Sequence, residues 1–187
     1  MAEPSTAPRV KLICGMISAR PELFDQAAAM LASRFGPLDI TSEVMAFNFT
    51  TYYDREMGHP LYRRFVAFDS LVCGDILASA KQATNAMEDE FRKEQNKAEG
   101  PLFPARPINL DIGYIESSKL ILASMKNFSH RIYLSGGVFA EVTLMYHRDG
   151  WQALAWTFPD YASGRYDSFL TAARTRMRKQ IEQENHS

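Results

Sequence analysis

Cysteine is scarce in this chain of 187 residues: Cys14 and Cys73 stand far apart and form no C-x-x-C pair. That excludes a disulfide scaffold and a cysteine-rich zinc site, and both residues read as small apolar side chains kept as thiols in a reducing cytosol. Histidine is almost as thin, and His59, His130, His147 and His186 show neither H-E-x-x-H nor a Cys/His spacing, so no zinc is expected. Long apolar runs are missing as well. The best stretch, Leu12 to Ile17, is far short of the about 20 residues a membrane-spanning helix needs, and Met1 to Val10 lacks the apolar core of a secretory signal. An excess of one charge is also absent, because 21 Lys plus Arg against 22 Asp plus Glu leave a net charge of -1. Nonspecific grip on nucleic acid normally leaves a basic footprint, so a nucleic-acid partner is disfavoured. Neither G-x-x-x-x-G-K-[ST] nor G-x-S-x-G occurs, which removes the P-loop and the serine elbow. The expectation is a cytoplasmic protein with no membrane partner.

What the chain does have is a hydrophobic fraction of 46%, enough to build a core. Lys11 to Ser18 is apolar on both alternating faces, Ile13 and Ile17 on one and Leu12, Cys14 and Met16 on the other, as in a central strand covered from two sides. Pro21 opens a helix in which Phe24, Ala27, Leu31 and Phe35 recur at helical spacing, and Gly36 closes it. Ile40 to Phe49 and Tyr62 to Asp69 read as strands joined by a long connection, Thr50 to Pro60. Asp75 begins a second helix with an apolar stripe of Ile76, Ala80, Ala83, Met87 and Phe91, Lys81 and Glu88 lying among the remaining charges, and it fades near Gly100. After a Pro-marked loop, Pro101 to Pro107, comes a strand at Ile108 to Ile112. This order predicts an α+β fold with a ferredoxin-like βαββαβ core. A short helix from Ser117 or Ser118 to Met125 and an antiparallel meander, Arg131 to Leu134, Val138 to His147 and Trp151 to Phe158, are expected to follow. A C-terminal helix from about Gly164 completes one domain over residues 9–181, with flexible termini at 1–8 and 182–187. Since the first strand is apolar on both faces and two helices cover only one, the meander and last helix are expected to cover the other, with a cleft between sheet and meander.

Several stretches are familiar together: residues 47–58 (Phe47-Asn48-Phe49-Thr50-Thr51-Tyr52-Tyr53-Asp54-Arg55-Glu56-Met57-Gly58), 106–114 (Arg106-Pro107-Ile108-Asn109-Leu110-Asp111-Ile112-Gly113-Tyr114), Ser129 to Leu134, Phe139 to Leu144, and Trp156-Thr157-Phe158-Pro159-Asp160-Tyr161. Over residues 9–165 the chain resembles the bacterial and archaeal family called domain of unknown function 4416. The resemblance implies a prokaryotic cytoplasmic protein of similar length and carries no activity across.

The candidate site residues come from loops and strand ends. Tyr53, Asp54, Arg55 and Glu56 sit in the long connection, where a rigid scaffold commonly displays functional groups. Asn109 and Asp111, two apart on one strand, share a face with Arg106 close by. Lys119, Lys126, His130 and Arg131 supply cationic donors near an expected helix start at Ser117, a combination that suits phosphate or carboxylate. His130 serves as acid or base if a carboxylate orients it, and Glu141 either faces water or is the buried partner of a cation. Asp54, Asp111 and His130 are thus the candidate catalytic groups, and Tyr53, Arg55, Arg106, Asn109, Lys119, Arg131 and Glu141 the candidate ligand-binding groups. The cofactor is unknown, with magnesium on Asp54, Glu56 and Asp111 left open and no metal site proposed. Arg63-Arg64-Phe65-Val66-Ala67-Phe68 faintly resembles the RNP1 stretch of RNA recognition motifs, but Phe65 and Phe68 lie on opposite faces, which favours a core role. Three functions remain, in this order: binding or turnover of a small phosphate- or carboxylate-bearing molecule, RNA association, and a non-catalytic interaction module. Whether there is a reaction at all is open.

Overall fold

The computed structural model describes residues 3, 7–99, 105–148 and 150–186. The fold is a mixed α/β architecture built on one antiparallel sheet whose strands follow the order β2 (Leu38–Thr41), β4 (Leu61–Cys73), β1 (Arg9–Ser18), β5 (Asn109–Glu116), β6 (Lys119–Ser124), β8 (Val138–His147), β7 (Ile132–Ser135). Strand β1 (Arg9–Ser18) is central, paired antiparallel with β4 (Leu61–Cys73) on one side and β5 (Asn109–Glu116) on the other. Helices α1 (Leu23–Phe35) and α3 (Leu77–Glu99) bury Leu12, Cys14 and Met16 of β1 beneath Phe24, Leu31, Met87 and Phe91. Helix α5 (Asp167–Glu184) closes the opposite face, packing Tyr166, Leu170, Ala173 and Met177 against Ile13, Phe65, Leu120 and Leu144. The two-sided burial of β1 read from its sequence is therefore realised. Phe65 and Phe68 are buried on opposite faces, at 0% and 1% exposure, which leaves neither free to stack a base. Among the described residues no helix is long and apolar enough to cross a membrane.

Four expectations are corrected. The segment expected as a helix from Ser117 or Ser118 to Met125 is instead strand β6 (Lys119–Ser124), hairpinned to β5. Leu120 and Leu122 face α5 while Ile121 and Ala123 face α1 and α3, so its four apolar residues have the period of two of a strand buried on both sides. The meander does not lie over the sheet but prolongs it: β6 pairs with β8 (Val138–His147), and β8 with β7 (Ile132–Ser135) and β9 (Gly150–Ala153). Helix α5 is the main cover on that side. Finally, the strand expected at Ile40 to Phe49 is two short ones, β2 (Leu38–Thr41) and β3 (Met45–Phe47), both on β4. Between them the Ser42 N–H donates to the Phe65 carbonyl at 2.9 Å and the Ser42 hydroxyl accepts the Phe65 N–H at 2.9 Å, so one residue replaces a ladder rung. The strand expected through Phe158 ends at Ala153. Beyond it Trp156 Nε1 and Thr157 Oγ1 donate to the carbonyls of Val142 and Thr143 at 2.8 and 2.6 Å, and Pro159 begins a single turn, α4 (Pro159–Ala162). Gly100 to Pro104, Asp149 and most of the first eight residues, on which other expectations fell, lie outside the described residues.

One departure from regularity positions everything that follows. β5 and β6 pair only from Gly113/Leu122 to Glu116/Lys119, and beyond Gly113 they part. The N–H and C=O of Leu110, left without a strand there, are taken by two side chains of α3: Glu88 Oε1 accepts the N–H at 2.8 Å and Lys81 Nζ donates to the carbonyl at 2.9 Å. Both ions are nearly buried and 4.0 Å apart, so α3 fills in for an absent strand. Gly113 stands at the fork, where an added Cβ would lie 2.3 Å from the Ile121 carbonyl oxygen. Because that neighbour is backbone in a paired strand, Gly113→Ala is expected to lower stability by about 3 kcal/mol in urea unfolding. An unchanged midpoint would show that the strands are free to separate further.

Candidate functional site

The fork opens a cavity of about 770 Å³. Its floor is Arg63, on β4, with a side chain only 3% exposed. The guanidinium crosses β1 above Gly15, where a Cβ would come within 2.8 Å of Nη2, and reaches Asp111 of β5 at 3.1 Å. Nη1 donates to Asp160 at 2.6 Å and Nη2 to the Tyr161 hydroxyl at 2.9 Å, both partners carried by the turn α4. Four rings, Phe47, Phe65, Tyr161 and Tyr166, stand within 5.6 Å of its carbon. Burial pushes the Asp160 carboxyl up while Arg63 and the Tyr166 hydroxyl hold it down, and the net direction is up. Burial also raises the phenols of Tyr53, Tyr161 and Tyr166, so these stay protonated as donors.

The α3 side of the cavity is a second paired cluster. Arg106 donates to Glu88 at 2.8 Å and to Asn109 Oδ1, and its backbone N–H to the Glu56 carbonyl at 2.9 Å. Burial alone would lower the Arg106 pKa, but Glu88, helped by Asp111 and the Tyr53 phenol, turns the net direction upward. The far wall is Glu141, 3% exposed, whose Oε2 lies 2.7 Å from Arg131 Nε and 2.9 Å from His130 Nε2. Arg131 continues to the Ser124 hydroxyl and the Lys126 carbonyl at 2.9 and 2.8 Å, and the His130 ring stacks on Trp156 with centroids 5.2 Å apart. At the mouth Lys126 donates to the Tyr52 hydroxyl, joining the long connection to the loop after β6. Phe47, Phe49, Phe128 and Phe158 stand in its apolar wall.

Of the residues singled out from sequence, Tyr53, Arg106, Asn109, Asp111, Lys126, Arg131 and Glu141 line this cavity. Glu141 is the buried partner of a cation, one of its two expected roles. His130 sits behind the wall, oriented by Glu141. Asp54 starts the turn α2 (Asp54–Met57) and faces His59 at 3.9 Å, Arg55 is exposed, and neither lines the cavity. Lys119 pairs with Glu116 beside the β5–β6 turn, and the helix expected there, with its free N–H groups, does not exist. Among the described residues no three His, Cys, Asp or Glu side chains gather as a metal site would require. The cleft also does not lie between sheet and meander: it is a gap within the sheet, because the meander is part of that sheet. Sequence reasoning missed Arg63, Lys81, Glu88, Asp160 and Tyr161. Arg63 shares its face with Phe65, so the period of two already aligned it with a buried ring. Lys81 and Glu88, seven apart, lie two turns from each other on one side of α3, beside the apolar stripe rather than opposite it.

Breaking the Arg63 cluster strands two carboxylates, so Arg63→Met should cost about 3 to 5 kcal/mol in chemical denaturation, and Arg63→Lys should not restore it, since a single ammonium cannot reproduce the fork. The tyrosines add a pH dependence. Phenols raised in the fold contribute stability that is complete below their ordinary value of about 10 and is lost as pH rises toward their folded values. Alkaline unfolding should thus coincide with the appearance of phenolate absorbance from Tyr53, Tyr161 and Tyr166. Full ionisation of all tyrosines before the loss of structure would contradict this.

Each of the five stretches that carry the family resemblance contributes lining to the cavity, from Phe47 to Tyr161. No curated protein and no solved structure matches the chain. Residues 8–177 match the family model described as domain of unknown function 4416, and the chain belongs to that family.

Proposed function

We propose that the cavity takes up a small organic anion, with its phosphate or carboxylate at Lys126 and its body against Phe47, Phe49, Phe128 and Phe158. The observation that carries this reading is a lining cation that no carboxylate meets. Arg63, Lys81, Arg106 and Arg131 each have a carboxylate within ion-pair distance, whereas Lys126, among the described residues, has only the Tyr52 hydroxyl and ring. A lining cation without a counter-ion at the mouth of an aromatic-walled cavity favours an anionic guest. If the guest is transformed, Asp111 is the group placed to accept a proton, since Arg63 occupies only one of its oxygens. The order β2-β4-β1-β5 with α1 and α3 on one face supports reading the first half as a ferredoxin-like core. The free thiols of Cys14 and Cys73 support a cytoplasmic setting.

A second reading, a non-catalytic interaction module, is favoured by one feature: Ile132, Tyr133 and Leu134 stand exposed on β7 at the end of the sheet.

The test is a thermal-shift screen of sugar phosphates, nucleotides and organic acids, with and without magnesium. A binder at 100 times its dissociation constant should add about 2.7 kcal/mol of stability. Lys126→Gln should abolish the shift, and Lys119→Gln, outside the cavity, should leave it. A panel in which no anion raises the melting temperature of the wild-type protein would overturn the reading.

A further inference from the structure

The inner end of the cavity carries hydrogen-bonding groups of opposite sense that the fold leaves unused. Asn109 and Asp111 lie on one face of β5, about 7 Å apart. Asn109 is 3% exposed and lines the cavity; Arg106 occupies its Oδ1, while its Nδ2 has no partner among the described residues. Arg63 Nε is likewise buried and without a partner. Asp111 gives Oδ2 to Arg63 at 3.1 Å and stays 26% exposed, which leaves Oδ1 as an acceptor. Three residues that line the cavity thus carry two buried donors without acceptors and one carboxylate oxygen without a donor, in a space that also holds several aromatic rings.

The chemistry of the guest's inner end follows from these groups. An apolar body would leave the Asn109 amide buried and unpaired, a penalty of the kind that proteins avoid. An ammonium could donate to Asp111 but accepts nothing from Asn109, and it would approach Arg63 and Arg106 as a like charge. A hydroxyl does both: it donates to a carboxylate and accepts from an amide. Two or more hydroxyls on adjacent carbons span the separation of Asn109 and Asp111, and the C–H face of a sugar ring packs on an aromatic wall. Resting on the anion-binding reading above, we infer that the guest is a phosphorylated sugar or polyol, its hydroxyls inward on Asp111 and Asn109 and its phosphate outward at Lys126.

Isothermal titration with ribose 5-phosphate, glucose 6-phosphate and glycerol 3-phosphate, set against propyl phosphate and inorganic phosphate, separates the two levels of the proposal. At least one hydroxylated phosphate should bind tenfold or more tightly than propyl phosphate. Asn109→Asp keeps an oxygen for Arg106 and replaces the unpaired donor with an acceptor, so it should erase that advantage while leaving propyl phosphate unaffected. Asp111→Asn should do the same, with circular dichroism confirming that each variant folds. Equal binding of propyl and sugar phosphates, or an advantage that survives Asn109→Asp, overturns the hydroxyl inference and leaves the anion site standing. Binding by none of the phosphates overturns the inference, and the phosphate form of the anion reading with it.

Discussion

A guanidinium taken out of water has to be matched by acceptors held in place around it, and in this protein that requirement falls on Arg63. Its partners come from two separate parts of the chain: Asp111 reaches it across β1, and Asp160 and Tyr161 are brought back by the turn that follows the meander. Removing Arg63 would leave both carboxylates without their cation, a far larger penalty than losing an exposed ion pair. The Arg63 cluster therefore ties the return of residues 154–162 to the middle of the sheet. Gly15 is part of the same arrangement, since only a residue without a Cβ lets the guanidinium lie on β1.

The second constraint is that a strand edge inside a protein must be satisfied by something. Where β6 leaves β5, the groups that satisfy it are side chains of α3, and side chains occupy less width than a strand. The room left over is the cavity. Part of its lining is polar because the two clusters that stabilise it, Arg63 with its acids and Lys81, Glu88 and Arg106 together, are themselves responses to buried backbone and buried charge. The candidate site is thus a by-product of how the sheet is held open, with Lys126, Asn109 and Asp111 as the groups whose capacity is not used up internally.

Local periodicity made much of this legible. Strand β1, helix α1 and the apolar face of α5 follow from spacing alone, and β8 has the bounds expected of it, Val138 to His147, although an irregularity at Thr143 sends Val142 and Leu144 to opposite faces. The segment 117–125 misled because its apolar run is short enough to fit helix or strand, and only pairing with β8 decides it. Among the functional candidates, Asn109 and Asp111 were readable because two residues on a strand share a face whatever the tertiary fold. Asp54 and Arg55 were chosen for charge in a loop and Lys119 for charge beside an expected helix start, and charge does not reveal direction: solvent or a sequence neighbour took each of them. Arg63 and Glu88 were hidden for the converse reason. A charged residue at a buried position looks solvated until its partners, about 50 to 100 residues away for Arg63, are brought to it.

The substitution of side chains for a strand at Leu110 also decides which motions expose that amide. An amide bonded within a sheet becomes open to hydrogen exchange when neighbouring strands separate, but the Leu110 N–H is released when Glu88 withdraws, and so when α3 loosens. Its exchange rate should follow that of the amides in the middle of α3 rather than those of Gly113 to Glu116 along the same strand. One backbone position in β5 would then serve as a native reporter of helix breathing, and of whatever enters the cavity to steady it.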